Sequence, residues 1–161
     1  MIRSYIPLLL IGPFIITACS PLTFDHDYAS GHYSLETEQC VPYAREVSGI
    51  QLSGDAYSWW DKAQGRYQRG HVPTRGAVLV LRKTSHLRSG HVAVVKNVLG
   101  SRIITVTHSN WANNWGDRHI IYDFMRAEDV SAANDWTRVR FWNDDKNVFG
   151  APYPAYGFIY P

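Results

Sequence analysis

Apolar and polar positions along the chain fall into three regimes. Residues 5–16 form an apolar run rich in Leu and Ile, interrupted only by Pro and Gly and preceded by Arg3. Residues 20–34 are polar and irregular, with Pro21, Gly31 and no sustained period. Regular spacing begins after that. Cys40, Tyr43, Ala44 and Val47 share one face at helical spacing, which predicts a helix over residues 37–47 that buries the side bearing the thiol. Pro42 falls in its first turn, where a missing N–H does no harm. Ala56, Trp59, Trp60 and Ala63 predict a second helix over residues 55–64, with at least one of the two tryptophans in the core; Gly65, Gly70 and Pro73 then break the chain.

Beyond these helices the pattern changes. β-Branched and aliphatic runs at residues 77–81, 92–98 and 102–107, divided by Gly and Ser, predict strands, and weaker runs follow at 120–124, 139–142 and 156–160. Helices followed by a meander of strands describe an α+β domain with an antiparallel sheet. A chain of 161 residues has room for one well-buried domain, and therefore one active site.

The leading segment stands apart from the fold. Arg3 followed by an apolar run shorter than the roughly 20 residues of a membrane span reads as an export signal. Ile16-Thr17-Ala18-Cys19 is similar to the lipobox of bacterial lipoproteins, which is cut before the cysteine that then carries lipid. The division expected is a signal peptide over 1–18, a tether over 19–34 and a catalytic domain over 35–161. Ordinary cleavage near Ala18 is the alternative, leaving Cys19 as a free thiol or a disulfide partner for Cys40. The expected location is the bacterial cell envelope, facing the periplasm through a lipid anchor on Cys19, or outside the cell. Ser20, where an inner-membrane retention signal has Asp, favours the outer membrane.

Composition narrows the chemistry. The chain is 45% hydrophobic and 19% charged, within the globular range. A net charge of +2 suits an anionic polymer, and the absence of a Lys/Arg cluster argues against a nucleic-acid partner. With two cysteines there is no disulfide framework, so a lipidated Cys19 leaves Cys40 as a lone thiol in an oxidising compartment. Catalysis is a reason to keep such a thiol. His26 and His32 in the tether lack acidic or sulfur partners at ligand spacing and read as solvated, and His71, His86 and His119 read as surface or loop residues.

A cysteine nucleophile reacts as the thiolate, which a helix N-terminus and a neighbouring imidazolium both favour. Cys40 has the helix terminus. Among seven histidines, His91 stands out in Ser89-Gly90-His91-Val92-Ala93-Val94-Val95, a polar ring entering a buried strand, which is costly without partners. If Val98 faces Ile103 across a hairpin, His91 lies opposite Asn110 and Ala93 opposite His108. His91, His108 and Asn110 then share a face with Ala93, Val95, Ile104 and Val106, and this apolar face is expected to pack on the helix of Cys40. A slip of one residue would send His108 and Asn110 to the other side.

These segments carry a family resemblance. Gln39-Cys40-Val41-Pro42-Tyr43-Ala44-Arg45 resembles the nucleophile segment of the CHAP family, the cysteine, histidine-dependent amidohydrolases/peptidases. Arg75-Gly76-Ala77-Val78-Leu79-Val80 resembles its Gly-Asp/Ala strand, and Gly90-His91-Val92-Ala93-Val94-Val95 its Gly-His-Val-Ala strand. Val106-Thr107-His108-Ser109-Asn110-Trp111 aligns with the segment that ends in Glu-x-Asn. The likeness spans about residues 35–112 in the same order and spacing. His108 occupies the place where the family usually has Glu, and the related NlpC/P60 enzymes often use His there; Asn110 is the rival orienting residue.

The resemblance implies a papain-like α+β fold, N-terminal helices bearing the cysteine packed on an antiparallel sheet, and cleavage of a peptidoglycan amide bond. That bond is either the one joining muramic acid to the stem peptide or one within the peptide. Cys40 is the implied nucleophile, His91 the base and His108 the third member. The Cys40 N–H, with the Gln39 side chain, forms the implied oxyanion site. Trp111 and Tyr43 are candidate substrate-binding residues; Trp111, with Trp115, either stacks on sugar rings or packs the sheet edge. No metal or cofactor is implied, and a monomer is expected. Two other functions compete: a non-catalytic wall-binding lipoprotein, supported by the missing Glu, and a secreted antibacterial amidase toxin.

Overall fold

A computed structural model describes residues 39–111 and 120–161. The expected signal peptide, Cys19, the tether with His26 and His32, Trp115 and His119 lie outside these residues. Helix α1 spans Cys40–Ser48, a 3-10 turn spans Ala56–Ser58 and a short α2 spans Trp59–Lys62. Eight strands follow: β1 Gln68–Gly70, β2 Val78–Leu81, β3 His91–Val98, β4 Ile103–Ser109, β5 Ile121–Asp129, β6 Arg138–Asn143, β7 Val148–Phe149 and β8 Tyr153–Tyr160. Among the described residues no helix is long and apolar enough to cross a membrane.

The α+β papain-like expectation is not what the chain adopts. The protein is mostly β. Strands β2, β3, β4, β5 and β6 pair in sequence, and β8 pairs with β2 on one side and β6 on the other, closing six strands into a barrel. β1 extends the sheet beyond β8, and β7 adds to β6. Closure removes two sheet edges that would otherwise expose unpaired backbone. The predicted helix over 55–64 shrinks to one 3-10 turn and four α-helical residues. Strand β8 explains the error, because the C-terminal strand inserts between β1 and β2, a long-range pairing that local patterns do not encode.

Two apolar clusters lie on the two sides of the barrel wall. The interior holds Leu79, Ala93, Val95, Ile104, Val106, Met125, Phe141 and Phe158 among others. On the outer face Val78, Val80, Val92, Val94 and Ile159 pack against Ala44 of α1 and against Ile50, Leu52, Ala56, Trp59 and Ala63. Strands β2 and β3 are therefore buried on both faces, which is why they read as continuous apolar runs instead of alternating ones. Trp59 is fully buried. Buried side chains of this size contribute about 1.5–3 kcal/mol each, and this outer cluster holds α1 in place, since nine residues are too few for a helix to stand alone. Gly49 ends α1 with φ +76°, its N–H bonding to the Arg45 carbonyl at 3.0 Å.

The helix of Cys40 consequently lies on the face opposite to the one expected. His91, His108, Ala93 and Val95 point into the barrel, while Val92 and Val94 meet α1. Both faces of β3 are apolar, so the sequence pattern could not say which one the helix covers. The predicted register holds at Val94↔Thr107 and Val95↔Val106, but a bulge before Asn97 shifts the hairpin end to Val98↔Ile104.

The loop that enters β3 is clamped at Gly90. Its φ is +67°, its N–H bonds to Leu87 O at 3.0 Å, and a Cβ there would lie 2.7 Å from Tyr57 N and 2.8 Å from Leu81 O. Both neighbours are backbone or close to it and cannot move aside. Gly90→Ala should cost about 3 kcal/mol or more, through backbone strain and collision together. Gly100→Ala, with open space around it, should change stability by no more than about 0.5 kcal/mol. Urea unfolding of both variants checks this, and equal stabilities would contradict it.

Candidate active site

Three segments converge at one rim of the barrel: the start of α1, the start of β3, and the end of β4. Gln39, Cys40, the loop residues 86–90, His91, Asn110, Trp111 and Tyr153 together line a cleft of about 680 Å³. The antiparallel pairing of β3 with β4 brings His91 and His108 to the same end of the sheet. Their rings meet edge to face, with His91 Nε2 2.8 Å from His108 Nδ1. His108 is hydrogen-bonded in turn to Met125, Nε2 to Sδ at 3.2 Å.

Both histidines are buried, at 2% and 1% exposure. Trp111 covers them, with centroids 4.7 Å from His91 and 5.6 Å from His108, and Tyr122 and Phe141 flank His108 at 5.6 Å. Trp111 is itself 7% exposed and packs on Phe141 and Tyr153, so it forms the floor of the cleft instead of a free stacking platform. Burial pushes the pKa of His91 down to about 3. That of His108 lies well below the ordinary histidine value, through burial first and its neighbour His91 second.

Cys40 is half-buried and its thiol is free. Burial raises its pKa, while backbone hydrogen bonds from Val92, Val41 and Cys40 itself act against that rise. The surroundings therefore favour a neutral thiol and a neutral imidazole on the same cleft, in place of the thiolate expected from a helix N-terminus and a neighbouring imidazolium. The two backbone N–H groups at the start of α1 nevertheless face the sulfur, where they can stabilise charge that develops during a reaction.

The other singled-out residues take different places. The Asn110 amide donates to the Gln39 carbonyl at 2.6 Å, so Asn110 holds Gln39, and it is His108 that holds His91. With its oxygen engaged, Gln39 keeps its NH₂ as the remaining donor. Tyr43 turns to Thr107, their hydroxyls 2.7 Å apart, and does not line the cleft. His86, read from the sequence as a surface residue, is exposed and lines the cleft as well. Arg88, Tyr153 and Met125 were not singled out; for Arg88 the available signal was its position three residues ahead of His91. No group of three or more His, Cys, Asp or Glu residues able to hold a metal occurs among the described residues.

Comparison with known proteins adds to this geometry. No curated protein sequence matches the chain. Among solved structures, an N-acetylmuramoyl-L-alanine amidase from Staphylococcus aureus is similar, with 25% identity and a TM-score of 0.47; the likeness covers 73% of this chain and only 30% of that one. The model of the CHAP domain matches residues 28–110, more than half of the chain, and takes in Gln39, Cys40, His91, His108 and Asn110. The chain belongs to the CHAP domain family.

Proposed function

We propose that this protein is a cysteine-dependent hydrolase that cleaves an amide bond of peptidoglycan, with Cys40 as nucleophile, His91 as base and His108 holding His91. The observation that carries the reading is the shared cleft: Cys40 and His91 open onto it together, and His91 is anchored from behind at 2.8 Å. Membership of the CHAP family supports both the reaction class and the envelope substrate. Export and a lipid anchor on Cys19 complete the proposal on sequence grounds, and place the enzyme beside the wall.

The chemistry follows from a neutral pair. An unprotonated nitrogen of His91 takes the thiol proton as the Cys40 sulfur bonds to the amide carbon, and the carbonyl electrons move onto oxygen. The Cys40 N–H and the NH₂ of Gln39 receive that oxyanion. The C–N bond then breaks, His91 passes the proton to the leaving amine, and a thioester remains. Water, deprotonated by His91, attacks the thioester; a carboxylic acid leaves and the thiol is restored.

The cleft also bears on the kind of peptide it accepts. Among the described residues Arg88 is the one Lys or Arg that lines the cleft, and no Asp or Glu does. Leu87 O accepts from Gly90 N–H and Ser89 O from Tyr57 N–H, both at 3.0 Å, so the backbone around Arg88 is fixed. A guanidinium carried on that backbone at the cleft suits a substrate carboxylate of the stem peptide.

Three outcomes test this reading. Cys40→Ala and Cys40→Ser should abolish release of fragments from purified peptidoglycan, followed by mass analysis, while leaving the unfolding midpoint nearly unchanged. Wall binding without cleavage by the native protein would identify a non-catalytic binder instead.

Because burial holds His91 unprotonated, the acid limb of kcat/KM should fall below about pH 5 instead of near the ordinary histidine value of about 6.5. The same shift sets the sign for stability: between pH 6.5 and 3 the unfolded chain binds a proton that folded His91 refuses. Stability therefore declines as pH falls through that window, by up to about 1.4 kcal/mol per pH unit. Rates are to be compared with unfolding curves at each pH, and a limb at pH 6–7 in fully folded protein would contradict the neutral pair.

Arg88→Gln should lower kcat/KM by roughly 10–100-fold on stem peptides with free carboxylates and leave their amidated counterparts unaffected. Equal losses on both substrates would remove the carboxylate role.

A further inference from the structure

Three buried groups stand in line behind the cleft: His91 Nε2 lies 2.8 Å from His108 Nδ1, and His108 Nε2 lies 3.2 Å from Met125 Sδ. Met125 is 4% exposed, and the whole line lies in the barrel interior. We infer that Met125 is a positioning residue that decides which nitrogen of each histidine carries its proton, leaving Nδ1 of His91 as the bare, proton-accepting atom.

The inference follows from what each atom can do. A thioether sulfur has lone pairs and no proton, so a hydrogen bond at Met125 requires the proton on His108 Nε2. A neutral imidazole has one N–H, which leaves His108 Nδ1 an acceptor. The short contact to His91 needs one proton between the two nitrogens, and it must come from His91 Nε2. His91 is then bare at Nδ1. In the opposite arrangement, His108 would turn a lone pair toward the sulfur lone pairs in a dry interior, and His91 would carry its proton on Nδ1, unable to accept one there. Burial of both rings, which keeps each in the neutral form, makes the choice binary.

A backbone irregularity puts Met125 in this line. β5 pairs with β4 at Val106↔Met125 and at His108↔Tyr122, so one extra residue is inserted between them. Phe124 takes the left-handed conformation there, with φ 63°. In a regular strand residues 122 and 125 would face opposite sides. The bulge turns both toward His108, with the Tyr122 ring 5.6 Å away and the Met125 sulfur in hydrogen-bond range. The interior thereby supplies the partner that an imidazole needs if it is to replace a carboxylate, which would accept from His91 with no tautomer to set.

The proton arrangement stands on the contacts alone; its consequence for catalysis rests on His91 being the base. Long-range proton–nitrogen correlation spectra of protein labelled with [¹⁵N]histidine read the tautomer of each ring whether or not the protein cuts peptidoglycan. The expected spectrum has both His91 and His108 protonated at Nε2 and bare at Nδ1. Met125→Leu keeps the volume and removes the acceptor. It should move His108 toward the Nδ1–H form, carry His91 with it, and lower kcat about tenfold with KM unchanged. A native His108 protonated at Nδ1, or unchanged tautomers in Met125→Leu, would overturn the inference. Should that variant not fold, the native spectrum alone decides. Expected tautomers in a protein that does not hydrolyse peptidoglycan would sink the functional reading and leave the positioning role intact.

Discussion

Strand β3 is buried on both faces, and the site depends on that constraint. Val92 and Val94 point outward and are covered by the helix that carries Cys40; His91, Ala93 and Val95 point inward and are enclosed by barrel closure. Cys40 and His91, the proposed nucleophile and base, thus sit on opposite sides of one wall and can meet only at its rim, where β3 begins and α1 begins. Gly90 is the hinge point of that rim, in a backbone conformation and a packing space that exclude a side chain. Loss of either burial surface would separate the two groups without altering either one chemically.

Enclosure has an electrostatic consequence. An imidazolium inside an aromatic cage is poorly solvated and, among the described residues, has no carboxylate hydrogen-bonded to it, so the histidines are held neutral. Neutral rings still have polar nitrogens, and an unsatisfied one would cost about 1–3 kcal/mol. The His91–His108–Met125 line satisfies three of the four, leaving one nitrogen of His91 for the cleft. The departure from the Glu usual in related sequences is in this sense matched by its surroundings, because an imidazole tolerates apolar enclosure that would raise the pKa of a carboxyl group.

The division of labour between His108 and Asn110 follows from where β4 ends. His108 is still within the strand and points inward; Asn110 follows it with φ 55°, outside the ladder, and reaches across to Gln39. One short segment thereby supports both His91 and Gln39, the proposed base and oxyanion donor.

The local features were legible in the sequence for definite reasons. Cys40 at a helix start beside Pro42, and His91 between a turn glycine and an apolar strand, are expensive or unusual placements that local chemistry exposes. Most strands, the pairing near Val94 and Val95, and the inward sharing of a face by His91 and His108 followed from period and register. The fold class, the face covered by α1 and the line through Met125 did not. Barrel closure depends on β8 pairing with both β2 and β6, contacts between residues far apart in the chain. A strand apolar on both sides gives no preference for which side meets a helix. Met125 reaches His108 only because one bulged residue inverts the parity of β5, and a two-residue period read from the sequence assigns it to the wrong face.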